Sequence, residues 1–357
     1  MMSKGKILLT GGGTAGHIWP IIAVAEILEK NARIKFLYVG SYGGPEKNIA
    51  KDFGVPFRRV LVGKWRNYFS LSNFWDLIKT FIGIVQALFI VLFFKPNVIF
   101  AKGGYVTVPV LFWANLFKIS VITHESDIIL GKANRWAAKF AKKICLGFPL
   151  KYYQGLDNLP IEKFVYTGTP VRKEFLGKTP IEREKPTILF TGGSQGSAKM
   201  NLLISEILPE LIKKYEILHL AGEKKLENLK ESENYHPIGF SKEMARLMRN
   251  ADLIITRAGA NTLAEISALG KPAVLIPLPT AYLDHQNANA QIYQEHNAAV
   301  VCSEKNLTGS SLLSIIDRLM EDDKLRYLLG HHAKEFSRPD AGQEIIDLLF
   351  EYGGNND

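Results

Sequence analysis

Four places in this 357-residue chain set small or glycine-rich residues directly after a short apolar run. Gly11-Gly12-Gly13-Thr14-Ala15-Gly16-His17 follows residues 6–10, Gly103-Gly104-Tyr105 follows 97–101, and Gly192-Gly193-Ser194-Gln195-Gly196 follows 187–190. The fourth lies within 251–270: an apolar run at 252–256, then Gly259, Ala260 and Asn261, then a helix predicted from Thr262 through Leu263 and Ala264 that Gly270 can end. A strand that turns straight into a helix leaves backbone N–H groups pointing at one spot, which suits a phosphate. Glu265, about one turn into that helix, can accept hydrogen bonds from the two hydroxyls of a ribose. Asp284-His285-Gln286, with Asn289, opens another helix after the run at 273–277, so Gln286 can close over the same crevice. The same spacing also suits an ordinary crossover with a surface glutamate.

Two side chains at strand ends have the chemistry of a general base. His17 closes the first glycine loop, and an imidazole titrates near neutrality. Asp127, after His124-Glu125-Ser126, is the rival carboxylate. His17 also suits hydrogen bonding to the loop backbone, or contact with a diphosphate as a cation. Some chemistries are excluded. GGGTAG lacks the full dinucleotide fingerprint, Val39-Gly40-Ser41 puts no acid at the end of the second strand, and no G-x-x-x-x-G-K-[ST] occurs. No Asp-x-Asp pair is present, and Glu321-Asp322-Asp323 reads as a solvated helix face, so neither a metal nor a cofactor is expected.

The elements that must position these residues alternate. Strands are predicted at 6–10, 34–39, 57–62, 97–101 and 120–123, with helices at 19–30, where Pro20 suits the first turn, and 45–53. That order implies an α/β fold with a doubly wound parallel sheet and ligand loops at the carboxyl ends of strands. A polar stretch from Gly155 through Gly168-Thr169-Pro170-Val171-Arg172 to Lys185-Pro186 reads as a linker, after which the second half repeats strand, glycine loop, helix. Two domains are expected, 1–168 and 169–338; the segment 339–357, with a helix at 341–352 capped by Asp340, returns to the first.

Composition narrows the partners. The net charge of +9 favours an anionic one, whether lipid surface or phosphorylated substrate, and the absence of zinc-finger spacing or dense Arg/Lys runs disfavours nucleic acid. Cys145 and Cys302, far apart and without ligand spacing, read as buried thiols in a reducing compartment. The opening residues suit a first strand better than a signal peptide. Residues 64–94 are unusual: a helix apolar on nearly all sides, uncharged from 80 to 94. That is short of the roughly 20 residues a bilayer span needs. It is either buried beneath its neighbours or offers an outer face, with Trp65, Phe74, Trp75, Ile78 and Phe81, to an anionic membrane surface, with Lys64, Arg66 and Lys79 near the headgroups.

Taken in order, Gly12-Gly13-Thr14-Ala15-Gly16-His17, Gly103-Gly104-Tyr105-Val106, His124-Glu125 with Asn134-Arg135-Trp136, Gly168-Thr169-Pro170-Val171-Arg172, Gly192 to Gly196, and Arg257 to Glu265 with Gln286 and Asn289 span nearly the whole chain. This set resembles the MurG family, the N-acetylglucosaminyltransferases of peptidoglycan synthesis. The resemblance implies the GT-B glycosyltransferase architecture of two facing Rossmann-like domains. It also implies inverting transfer of GlcNAc from UDP-GlcNAc to the muramyl 4-hydroxyl of lipid I, giving lipid II. The enzyme would act peripherally at the cytoplasmic face of the bacterial cell membrane.

By the same resemblance the second domain takes the donor. Ala260, Asn261, Thr262, Leu263, Ala264 and Glu265 would meet its diphosphate, sugar and ribose, Ser194 the phosphates, and Phe240, Ser241 and Met244 the uracil. Arg172 and Gln286 would line the donor cleft, which Thr14, Ala15, Gly16 and Asp127 would approach from the first domain. The acceptor loops would carry Gly103, Gly104, Tyr105, His124, Glu125 and Asn134. The chain departs from the family pattern at Ala15, where many relatives have Gly, at Ser126-Asp127, where Gln-Asn is familiar, and at Asn261, where Leu occurs. A sugar transferase acting on another lipid such as diacylglycerol, a UDP-GlcNAc 2-epimerase and an inactive UDP-sugar-binding adaptor stay open as alternatives.

Overall fold

The alternation folds as two all-parallel sheets. The computed structural model describes residues 5–63, 72–156, 158–177, 185–193, 196–226 and 229–354. In the first half the strands are β1 (Gly5–Thr10), β2 (Ile34–Ser41), β3 (Phe57–Val60), β4 (Val98–Ala101), β5 (Ser120–Glu125), β6 (Lys143–Leu146) and β7 (Phe164–Tyr166). Between them run α1 (Ala15–Leu28), α2 (Glu46–Asp52), α3 (Ser72–Phe94), α4 (Val108–Leu116) and α5 (Lys132–Ala137). The second half carries β8 (Thr187–Thr191), β9 (Glu216–Leu220), β10 (Tyr235–Ile238), β11 (Leu253–Thr256), β12 (Ala273–Leu275) and β13 (Val300–Val301). Its helices are α6 (Ala198–Lys214), α7 (Met244–Asn250), α8 (Ala260–Leu269), α9 (His285–Glu295), α10 (Gly309–Glu321) and α11 (Asp323–Glu335), and α12 (Ala341–Gly353) closes the chain.

The strand orders are β3-β2-β1-β4-β5-β6-β7 and β10-β9-β8-β11-β12-β13. Each order reverses once, between β1 and β4 in one sheet and between β8 and β11 in the other. Helices leaving the two strands at such a reversal diverge to opposite faces, so a crevice opens outside their carboxyl ends. All four small-residue turns singled out in the sequence leave β1, β4, β8 or β11. The topology therefore gathers them in pairs.

Two compact units result, Met1–Lys173 with Arg338–Asp357, and Glu174–Ser337. In the first, Ile7 and Leu9 of β1 pack with Ile18, Ile21 and Ile22 of α1, and α12 contributes Ile345, Ile346 and Leu349 to the same cluster. In the second, Ile188 and Phe190 pack with Leu203 and Ile207 of α6 and with Leu312 and Ile316 of α10. Cys145 and Cys302 are both buried free thiols, and burial pushes the Cys145 thiol up to about 12.

Several expectations need correction. α1 starts at Ala15, not 19, so His17 stands in its first turn and Pro20 inside the helix. α8 starts at Ala260 rather than Thr262. β5 runs on through His124 and Glu125. The stretch read as linker contains β7, which pairs in parallel with β6, because Phe164-Val165-Tyr166 has strand character that its polar flanks obscured. Arg172, expected in the donor domain, belongs to the first unit; its guanidinium lies 4.4 Å from the centre of the Trp19 ring, and it is buried.

α3 is not apolar all round in its setting. Its polar positions meet the segment after β3: Gly63 donates to the Thr80 hydroxyl at 3.1 Å and Leu61 to the Gln86 side chain at 2.8 Å. Gly83 abuts the Leu61 carbonyl, and Trp113 of α4 donates to the Ile84 carbonyl at 2.6 Å. The other face is open: Phe74, Trp75, Leu77, Phe81, Ile82, Val85, Phe89, Leu92 and Phe93 are exposed, and Phe112, Leu116 and Phe117 on and beside α4 are exposed too. Ile78 is half-buried, and Trp65 lies outside the described residues. A wholly buried helix is thereby excluded.

Candidate active site

In the first unit the site grows from the ends of β1 and β4. Tyr38 of β2 donates to the Gly11 carbonyl at 2.9 Å, and Gly13 donates its N–H to the Glu46 carboxylate at 2.6 Å. Gly13 has φ +87°, and a Cβ there would come 2.5 Å from the Tyr105 ring, so the loop requires glycine. Thr14 then occupies the N-cap position of α1 without a side-chain cap bond; its carbonyl accepts the His17 N–H at 3.1 Å, and its hydroxyl lies 3.1 Å from His17 Nδ1. Thr14 and Gly16 are exposed. Gly104, at φ +80°, comes up against the His17 ring, and Tyr105 follows, its hydroxyl raised above the ordinary tyrosine range by burial and then by Glu46.

Beneath these loops lies a charged layer. Lys102 is wholly buried; burial lowers its ammonium, and Glu125 and Asp127 partly offset this. Burial raises Glu125, against the opposing pull of Lys102. Asn134 ties this layer together: it accepts from the Thr123 hydroxyl at 2.6 Å and donates to the His124 carbonyl and to Glu125, each at 3.0 Å. Glu125 also accepts the N–H groups of Gly131 at 2.9 Å and Asp127 at 3.3 Å. His124 donates through Nε2 to the Gly168 carbonyl at 2.9 Å, and burial, then Lys102, holds its imidazole well below the usual range, so the ring is neutral. His124, Glu125 and Asn134 are thus buried supports of the 126–131 loop, whereas Asp127 within it is half-buried.

In the second unit Arg257, just past β11, is the central brace. Its guanidinium donates to the Ile276 carbonyl at 3.0 Å and the Ser197 hydroxyl at 2.6 Å, and pairs with Glu304; both members of the pair are buried. Ser197 is the N-cap of α6, accepting the Met200 N–H at 3.3 Å, so one side chain fixes the start of α6 to the ends of β11 and β12. Ser194 itself lies outside the described residues. Nothing in the sequence tied Arg257 to Glu304 or marked it as a brace.

α8 begins with Gly259 as N-cap and no side chain capping it, so its first turn presents backbone rather than a capping oxygen. Buried Asn289 of α9 donates to the Ala258 carbonyl at 3.3 Å, which holds the turn before α8. Gln286 accepts the Leu278 N–H at 3.0 Å. Ala260 and Leu263 are buried, whereas Asn261, Thr262, Ala264 and Glu265 are partly exposed. Phe240, Ser241 and Met244 follow β10, the edge strand two removed from β8; Phe240 is exposed and Ser241 accepts the Glu243 N–H at 3.1 Å. Among the described residues no group of three or more His, Cys, Asp or Glu side chains is arranged to hold a metal ion.

Two doubly wound parallel sheets, each with its small-residue turns at the strand reversal, form the GT-B-like architecture, and the relatives below make this chain a glycosyltransferase built on it. Residues 7–146 match the glycosyltransferase family 28 N-terminal domain and residues 187–345 its C-terminal domain. The UDP-N-acetylglucosamine–N-acetylmuramyl-(pentapeptide) pyrophosphoryl-undecaprenol N-acetylglucosamine transferase of Clostridium kluyveri is 37% identical, over 97% of this chain and 99% of its own length. Its counterpart in Lachnospira eligens is 38% identical over 96% and 98%. The crystal structure of Acinetobacter baumannii MurG superposes with a TM-score of 0.73 at 27% identity, covering 97% of this chain and 99% of that one. The chain belongs to the MurG family of glycosyltransferases, within family 28.

Proposed function

We propose that this protein transfers GlcNAc from UDP-GlcNAc to the muramyl 4-hydroxyl of lipid I, with inversion, forming lipid II. The observation that carries the reading is the coincidence of the family's motif residues with the strand reversal of each sheet. At α8 the uncapped first turn, Ala260 to Leu263, stabilises the negative charge that grows on the diphosphate as the sugar–oxygen bond breaks, because its partial positive end is fixed before reaction. Glu265 accepts from the ribose hydroxyls, Ser194 and Gln286 border the phosphates and sugar, and Phe240, Ser241 and Met244 border the uracil. In the first unit His17 takes the proton of the acceptor hydroxyl as the new bond forms, with Asp127 the competing base. Arg172, stacked on Trp19, serves by fixing the start of α1, through packing rather than direct contact.

The exposed face of α3, extended by Phe112 and Phe117, lies on the anionic cytoplasmic surface of the membrane, where the lipid-linked acceptor is held. Its polar side is committed to residues 61–63, which favours a helix lying on lipid over one surrounded by it. The decisive experiment incubates radiolabelled UDP-GlcNAc with a lipid I analogue and, in parallel, with diacylglycerol. Label in a lipid II analogue alone is expected. Label in the glycolipid, or conversion of the donor without transfer, would move the assignment to the lipid transferase or the epimerase.

A further inference from the structure

Glu46 opens the seven-residue helix α2 and is wholly buried, an unusual position for an ionisable side chain. One carboxylate oxygen accepts the Gly13 N–H at 2.6 Å, and both oxygens lie 3.1 Å from the Ser41 hydroxyl, which donates to them. Glycines from separate segments make room for it: a Cβ at Gly12 or Gly44 would overlap the carboxylate, and one at Gly40 would come 3.0 Å from Glu46 Cβ. A buried carboxylate is costly unless hydrogen bonds satisfy it, and here one of them reaches the backbone of the first glycine loop. At Gly13 the loop N–H is therefore committed to a side chain of the protein itself. Thr14, the next residue, stands at the N-cap position of α1 and turns its hydroxyl to the His17 ring rather than to the helix N–H groups.

We infer that Glu46 is a positioning residue: it holds the first glycine loop, and through Gly13 and Thr14 the His17 imidazole, in the geometry that transfer requires. The inference rests on the reaction proposed above. Glu46→Gln keeps an amide oxygen for Gly13 and a group for Ser41, whereas Glu46→Ala removes both and Glu46→Asp draws the carboxylate back by one bond from Gly13. At saturating UDP-GlcNAc and lipid I analogue, Glu46→Gln is expected to keep kcat within about 3-fold. The Ala and Asp variants lose about 10–100-fold, the scale of a small misplacement of reacting groups, while KM for UDP-GlcNAc stays within about 2-fold. Hydrogen–deuterium exchange over residues 11–17 reads the tether without reference to any reaction and should quicken in Ala and Asp but not in Gln. If the Ala variant fails to fold, the Asp variant, which keeps a carboxylate for Ser41, carries the comparison. Full kcat in the Asp variant, equal losses in Gln and Ala, or a donor KM rising in step with the loss of kcat overturns the inference. A wild-type protein inactive on this substrate pair, with exchange still faster in the Asp variant, sinks the reaction and leaves the tether standing.

Discussion

The His17 imidazole rests against Gly104: a methyl group at that glycine would lie 3.1 Å from Nδ1 and 2.7 Å from the Gly12 carbonyl oxygen. With the Thr14 hydroxyl 3.1 Å from the same nitrogen, the ring is held between the loops that leave β1 and β4. Held in this way, an imidazole can act as a base without first paying to be ordered.

If His17 is that base, His17→Ala lowers kcat by about 10²–10⁴-fold and leaves UDP affinity largely intact. Gly104→Ala, forced at φ +80° and against the ring, is expected to lower kcat in the same sense with a smaller effect on donor KM. Collapse of UDP affinity with kcat preserved would make His17 a phosphate ligand. Loss of turnover in Asp127→Ala with donor binding unchanged would move the base to Asp127.

Glu265→Ala is expected to weaken use of UDP-GlcNAc by about 1.5–3 kcal/mol, the range for losing a charged hydrogen-bond acceptor. Steady-state kinetics with varied donor measure it. Unchanged donor KM and kcat would return Glu265 to the surface of α8.

Membrane attachment is tested by flotation with anionic vesicles. Binding that weakens with salt and is released by alkaline carbonate is expected, since screening reduces attraction of the basic protein to the surface. Replacing exposed Phe81 and Phe89 with Ser should reduce flotation while leaving transfer to a soluble acceptor analogue unchanged. Flotation equal to wild type would detach this face from the membrane.

His219 gives stability a pH dependence. It is buried between Tyr235, whose hydroxyl lies 2.9 Å from Nδ1, and Asn201, 3.1 Å from Nε2, and burial lowers its pKa to about 4. The unfolded chain takes up this proton near pH 6.5, the native one only near 4, so stability from this site is intact above 6.5 and falls as pH drops towards 4. Between pH 7 and 5 the wild type should lose about 2 kcal/mol more than His219→Gln, read from urea unfolding at each pH. Parallel losses in the two proteins would contradict the assignment.

The sheets and their turns were legible because apolar runs and glycines report local requirements: a strand at 6–10 and a tight turn after it need nothing from elsewhere. The start of α1 was misplaced because Ala15, Gly16 and His17 look like loop, and only the fold brings Gly104, after β4, against the His17 ring. Glu46 was passed over for a similar reason. A glutamate opening a short helix reads as surface, and its burial depends on Gly12, Gly40 and Gly44, which the chain supplies from three places. The open face of α3 was only half legible, since sequence cannot say which side of an apolar helix a neighbouring segment will cover. The buried pair of Arg257 and Glu304 left no local trace at all.

The return of α12 to the first unit governs the order in which the chain can be finished. Ile345, Ile346 and Leu349 complete a core whose other members, Ile7, Ile18 and Ile22, leave the ribosome more than three hundred residues earlier. The first sheet must therefore wait, with the apolar side of α1 uncovered, while the whole second unit is synthesised. A product stalled before α12 would expose that apolar seam to chaperones and proteases.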